Sequence, residues 1–292
     1  YEILRCLVGS EMCIRDRPAV EYTNELIIGD TTESMGDFIS GWTNAASDAY
    51  VKQLMSGYAT VNWTREGLFA VDELITVKEW SEVDNEDGTK TYTFTINDNL
   101  TYNNGDPITA KDYVASILLW ASPQMVELGA TTGTGMEFVG YAEYHNGDTN
   151  VFPGVRLLDD YTFSITIAAE ELPYHYDIAY AIVGPEPIHV YAPSATISDN
   201  GEGALIEGLD VEELRTTLLT EGTGMRYQPT VTSGPYQFGS FDADTRTIVI
   251  NKNDAYLGTY DGVKPKIETI IVKLVDEATQ MDELRTGAVD LV

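Results

Sequence analysis

Between Lys90 and Ile96, threonines at positions 91, 93 and 95 alternate with Tyr92, Phe94 and Ile96. A period of two puts the large apolar side chains on one face of a strand and the threonines on the other. Asp87-Gly88, just ahead, is a tight-turn dipeptide, so Leu74–Trp80 and Lys90–Ile96 are expected to pair as a hairpin around residues 84–88. Further on, Thr109-Ala-Lys-Asp112 has the capping-box form of a helix start. The helix behind it is expected to reach Ala121, carry Val114, Ile117, Leu118 and Ala121 as its apolar stripe, and stop before Pro123. A half-buried hairpin followed by a capped amphipathic helix needs a core on a sheet face, which points to an α/β chain with a mixed sheet.

The rest of the chain fits that frame. Asn24–Asp30 reads as a buried strand. Ser47 is expected to cap a helix through Tyr58, with Val51, Leu54 and Met55 on one face and Gly57 near its end. Residues 129–150, rich in Gly and Thr, read as a long surface loop. Val155–Leu158 and Tyr161–Ile167 form an expected hairpin, as do Gly234–Phe241 and Thr245–Asn251. Asp210 caps a helix through Thr220, closed at Gly222. Lys266–Val275 reads as a strand and Asp276–Arg285 as a helix ending before Gly287. Val289–Val292 reads as the start of a further strand.

Charge narrows the partners. Acidic residues number 47 against 17 basic, for a formal net charge of −30. Such a polyanion repels phosphate backbones and anionic lipid, so nucleic acid is not an expected partner. Both cysteines, Cys6 and Cys13, fall in the first 17 residues, YEILRCLVGSEMCIRDR. That segment lacks a clean signal-peptide core and is read as foreign to the fold. A body without cysteine suits an exported protein that needs no disulfides, and equally an acidic cytosolic one.

Three blocks, in order, resemble the family 5 extracellular solute-binding proteins, the oligopeptide- and dipeptide-binding components of ABC importers. They are KTYTFTINDNLTYNNGDPITAKDYVAS (90–116), SGPYQFGSFDADTRTIVINKN (233–253) and the stretch from Lys264-Pro265-Lys266-Ile267 to Leu284-Arg285-Thr286-Gly287-Ala288-Val289-Asp290-Leu291. Asp159-Asp160-Tyr161-Thr162-Phe163 and Pro187-Ile188-His189 fit intermediate segments. Asn103-Asn104-Gly105-Asp106 departs from the family's usual turn. The resemblance implies a periplasmic-binding-protein-like fold of the type II, peptide-binding class, with two lobes that close on a ligand. Family members are longer, so the chain is expected to be a fragment holding the first lobe with the second missing, to bind peptide weakly or not at all by itself, and to aggregate more readily than a longer chain. The expected division is a non-native 1–17, an incomplete lobe I from 18–46 and 152–292, and an inserted subdomain at 47–151.

The resemblance further implies an extracytoplasmic protein, in a periplasm or lipid-anchored at a cell surface. It would be a monomer that delivers oligopeptide or dipeptide to the membrane permease subunits of an ABC importer, with no catalysis and no cofactor. Another solute, such as a nickel complex or an oligosaccharide, remains an alternative, and a hydrolase a remote one. The segment after the first strand is where the family's first lobe meets ligand, which makes Thr32, Glu33, Ser34 and Met35 candidates, with Glu33 placed to pair with a peptide ammonium. Trp42 and Tyr102 are candidates for lining the cleft, core packing being the other reading. Enzyme motifs are missing: there is no G-x-S-x-G, no P-loop and no H-E-x-x-H. His145, His175 and His189 lack ligand spacing, so no metal site is expected. The acidic turn at 84–88 lacks the alternation of an EF-hand, and Glu170-Glu171 has no partner carboxylate in view.

Overall fold

The computed structural model describes residues 24–43 and 45–292. The reading of Cys6, Cys13 and the first 17 residues therefore lies outside the described residues. The elements begin with β1 (Glu25–Asp30), α1 (Ala46–Met55), β2 (Val61–Trp63), β3 (Phe69–Val71), β4 (Val77–Asp84), β5 (Lys90–Ile96), α2 (Ala110–Ala121), α3 (Pro123–Glu127) and α4 (Tyr141–His145). They continue with β6 (Val151–Phe152), β7 (Val155–Leu157), β8 (Thr162–Ile167), α5 (Ile188–Tyr191), β9 (Thr196–Asp199), β10 (Ala204–Glu207), α6 (Val211–Leu219), β11 (Tyr236–Asp242), β12 (Thr247–Lys252), β13 (Thr269–Leu274) and α7 (Gln280–Thr286).

One sheet has the order β1-β13-β12-β11, with β1 parallel to β13 and the other pairs antiparallel. A second, antiparallel throughout, runs β4-β5-β8-β7. A smaller sheet, β6-β10-β9, and the β2–β3 ribbon complete the mixed α/β architecture. The second sheet joins β5 to β8 in register, with Phe94 opposite Phe163. Among the described residues no helix is long and apolar enough to cross a membrane.

The alternation at 90–96 does what its period dictates. Tyr92, Phe94 and Ile96 are buried, while Thr91 and Thr95 bond Thr166 and Thr162 across the strand pair. The capping box at α2 forms as well: the Asp112 carboxylate accepts the Thr109 N–H at 2.8 Å. The helix, however, has no solvent face. Every residue but Lys111 is buried, because sheets and loops cover it on all sides. Tyr113 stacks on Phe163 with ring centroids 5.3 Å apart. Each large apolar side chain so buried contributes roughly 1.5–3 kcal/mol. A second cluster sets Phe38, Val51 and Met55 of the α1 layer on Ile248, Ile250, Ile270 and Val272 of the first sheet.

Four sequence expectations are corrected. Ser47 does not cap α1: the cap position is Ala45, and Ser47 lies inside the first turn with its hydroxyl buried and unpartnered. The helix ends at Met55, three residues short of Tyr58, because the Met55 carbonyl takes the Gly234 N–H at 2.8 Å and the Gly57 N–H turns to Ser233 Oγ at 3.0 Å. The hairpin strand expected at Leu74 begins at Val77, since Asp72 draws residues 72–76 into a turn by accepting the Ile75 N–H and the Thr76 hydroxyl. Residues 129–150 are more than a loop. They contain α4, bury Tyr144, and bridge Phe138 to Ile167.

Candidate functional site

A cavity of about 350 Å³ opens where α2 meets the 133–138 and 179–186 segments, with Ser40, Ser56, Gly57 and Ser233 as its opposite wall. Each wall is fixed by contacts remote in sequence. The glycine-rich run is tied back by the Thr131 N–H to the Gly41 carbonyl at 2.7 Å and by the Thr132 hydroxyl to the Trp120 carbonyl at 2.7 Å. Gly135 takes a positive φ of 79°, and a β-carbon there would crowd Ile117 at 3.1 Å. The 181–187 segment hangs on Thr60, which donates its N–H to the Val183 carbonyl and its hydroxyl to the Ala181 carbonyl. The Glu186 N–H reaches the Asp112 carbonyl at 3.2 Å.

Two carboxylates face this space. Glu186 is half-buried beside the Trp120 indole Nε1, at 3.4 Å. Burial raises its pKa to about 7, against the opposing pull of hydrogen bonds from Tyr191 and Trp120. Burial also lifts Glu137 above its ordinary value. A smaller pocket of about 50 Å³ adjoins through Ser40, Ser56, Pro185, Glu186 and Ser233, and reaches Phe38, Lys52 and Tyr102. The lining is therefore backbone-rich at its glycines, hydroxylic at Ser40, Ser56, Thr134 and Ser233, aromatic at Trp120 and Tyr180, acidic at Glu137 and Glu186, and basic only at Lys52 of the smaller pocket, whose ammonium is held by the Ile39 and Thr43 carbonyls. Such a surface offers hydrogen bonds to an extended chain and charge to a cation. Neither pocket is lined by a histidine or cysteine. Among the described residues no group of three or more His, Cys, Asp or Glu could hold a metal ion.

The fold of this site decides what the chain resembles. A family profile described as "Bacterial extracellular solute-binding proteins, family 5 Middle" matches residues 72–292. The chain belongs to that family. Over 210 residues it is 25% identical to the periplasmic oligopeptide-binding protein OppA of Salmonella typhimurium, spanning 69% of this chain and 32% of that protein. The crystal structure of Haemophilus influenzae OppA in complex with RPPGFSPFR superposes with a TM-score of 0.63 at 18% identity, over 92% of this chain and 45% of that one. Campylobacter jejuni NikZ in complex with Ni(L-His) superposes with a TM-score of 0.58 at 16% identity, over 92% of this chain and 43% of that one. The family 5 chain described here thus spans about a third of the curated relative and under half of these solved chains.

The six candidates read from the sequence fall in different places. Thr32 is exposed, its N–H on Asp30 Oδ1 at 2.7 Å. Glu33 is exposed and pairs with Arg246 at 2.9 Å. Ser34 is buried and donates its hydroxyl to Asp48, while exposed Met35 gives its N–H to the same carboxylate at 3.0 Å. Trp42 sits edge-on to Trp120, 6.1 Å between centroids, with the Arg226 guanidinium 5.1 Å over its ring. Tyr102 is fully buried, its hydroxyl on Asp112 Oδ1 at 3.2 Å, and borders the smaller pocket. The larger cavity is lined by none of the six.

Sequence reading missed Trp120, Thr134, Tyr180, Glu186 and Ser233. Two signals for them existed. One was the glycine cluster at 129–135; the other was Val183-Gly-Pro-Glu-Pro187, where prolines hold an acid in a rigid extended segment.

Proposed function

We propose that this chain forms one lobe of an extracytoplasmic solute-binding protein that holds a peptide by closing on it and presents it to the permease subunits of an ABC importer, making and breaking no bond. The observation that carries the reading is the cavity between α2, the 133–138 turn and the 179–186 segment, whose glycine backbone and hydroxyls suit an extended main chain. Family membership supports it, as do the peptides carried by the solved OppA chains. The protein acts as a monomer, in a periplasm or held at a cell surface by lipid. Lobe I comprises 18–46 and 152–292, with 47–151 as an inserted subdomain. Thr32, Glu33 and Met35, exposed at the end of β1, meet ligand when the facing lobe closes. Ser34, Trp42 and Tyr102 hold the walls behind it. Backbone hydrogen bonds of roughly 0.5–1.5 kcal/mol each supply most of the grip.

The test is thermal unfolding of the purified chain with millimolar peptide pools, with nickel–histidine, and with cello-oligosaccharides. A ligand at one hundred times its Kd stabilises by about 2.7 kcal/mol. Peptides are expected to raise the melting temperature and to be recovered intact by mass spectrometry. A rise with nickel–histidine or sugar alone, or cleavage of the peptide, overturns the proposal.

A further inference from the structure

An unbroken series of aromatic contacts leaves the cavity and crosses the surface. Tyr180, on the cavity wall, lies 5.4 Å from Tyr174. Tyr174 meets Tyr176 edge-on at 6.2 Å, Tyr176 meets Phe69 at 5.9 Å, and Phe69 meets Trp63 at 4.6 Å. The rings come from two separate places, the 174–180 segment and the β2–β3 ribbon. The series is open to solvent: Trp63 is 63% exposed, Tyr174 46% and Tyr176 41%. Aromatic side chains are ordinarily buried for their large apolar area. Phe69 and Tyr180 are half-buried, and a row with three such open rings that ends in a cavity marks a binding surface.

Charge selects the occupant. Glu137 and Glu186 line the cavity, and burial together with the charges of Glu171 and Glu137 raises the Tyr180 hydroxyl's pKa. Among the described residues neither these three nor Glu170 takes part in a salt bridge. The basic groups near the row are already taken. Lys90 is held by Asp177 at 2.6 Å, and Arg65 by Asp261 at 3.2 Å. Ring faces beside Glu137 and the Glu170-Glu171 pair, acids that take part in none of the salt bridges, on a chain of net charge −30, favour a cation.

We infer that the row Tyr180–Tyr174–Tyr176–Phe69–Trp63 is a track for the overhanging part of a peptide rich in lysine or arginine, whose other end occupies the cavity. This rests on the peptide reading above and specifies the class of peptide. Each ammonium or guanidinium sits over a ring face, and the carboxylates at the cavity end draw the chain inward.

The test uses the 292-residue chain labelled with 5-fluorotryptophan and read by ¹⁹F NMR, the Trp63 signal being assigned with Trp63→Phe. Tetralysine is expected to move the signal of Trp120, at the cavity, and to leave that of Trp63. Dodecalysine is expected to move both and to bind about ten-fold more tightly, the equivalent of one or two exposed cation–π contacts. In the double variant Tyr174→Ala/Tyr176→Ala this length advantage is expected to fall below about two-fold. If dodecalysine moves Trp120 but not Trp63, the track is wrong and the peptide reading survives. If no peptide moves Trp120, the peptide reading itself fails. A neutral glycine–serine peptide or a cello-oligosaccharide that moves Trp63 as dodecalysine does overturns the assignment to cations.

Discussion

Gly234 gives its N–H to the Met55 carbonyl oxygen at 2.8 Å, and a β-carbon built on it would stand 2.3 Å from the Met55 carbonyl carbon. The contact ends α1 and sets Ser56 and Gly57 against the cavity. Gly234→Ala must push two backbones apart and is expected to cost about 1–3 kcal/mol or more, read as a lower denaturation midpoint. Gly184, also on the cavity wall, has open space where its β-carbon would go. Gly184→Ala is expected to stay within about 0.5 kcal/mol of the parent. Equal losses in the two variants would sink the close-approach explanation.

Glu186 makes stability depend on pH in a defined sense. Its pKa is about 7 in the fold against an ordinary 4.5. Between those values the folded chain keeps a proton that the unfolded chain has lost, so the contribution of this group to stability declines as pH rises from 4.5 to about 7 and then levels. Glu186→Gln is expected to remove that decline, on the order of 1–3 kcal/mol across the window. Urea titrations at pH 4.5, 6 and 8 measure it, and parallel pH profiles for parent and variant would contradict it.

The Arg156–Asp199 pair carries the opposite sign. Arg156 grips Asp199 through two N–H donors, at 2.7 and 2.9 Å. Burial alone would raise the Asp199 carboxyl. The guanidinium and the N–H groups of Gly201 and Leu157 outweigh it and hold the pKa below its ordinary value. The stabilisation is complete above the unfolded value and disappears as pH falls through the folded one. Asp199→Asn is expected to lose about 1–3 kcal/mol at neutral pH, with the gap closing below about pH 4. A gap unchanged at pH 3 would argue against an electrostatic origin.

Tyr102 and Tyr180 should separate wall from contact. Tyr102→Phe removes a buried bond to Asp112 and is expected to lower stability by about 0.5–1.5 kcal/mol while leaving the peptide-induced rise in melting temperature in place. Tyr180→Ala, on the open side of the cavity, is expected to shrink that rise. The reverse pattern would move the ligand to the smaller pocket.

What the sequence disclosed was mostly local. Period-two alternation located β5, and Thr109 with Asp112 located the start of α2, because both patterns act within a few residues. Gly234-Pro235-Tyr236 was visible as a motif, but its reason, the approach of Met55, lies on a distant segment. Ser47 misled because Ser is a good cap in isolation, whereas Asp48 beside it is committed to Ser34 and Met35. The cavity was harder to read. Glu186 owes its character to Trp120, Tyr191 and the Asp112 carbonyl, groups that only the packed chain brings together. Neither row of rings nor cavity has a period or spacing that a linear string displays.

The parallel alignment of Glu25–Asp30 with Thr269–Leu274 joins the two ends of the described chain. The β4–β5 hairpin and its neighbour β8 can assemble from nearby residues as soon as they emerge, but β1 must wait for β13, which lies across most of the described sequence from it. Contacts of such separation fold slowly, and until they close, an apolar strand stays unpaired and prone to associate with other molecules.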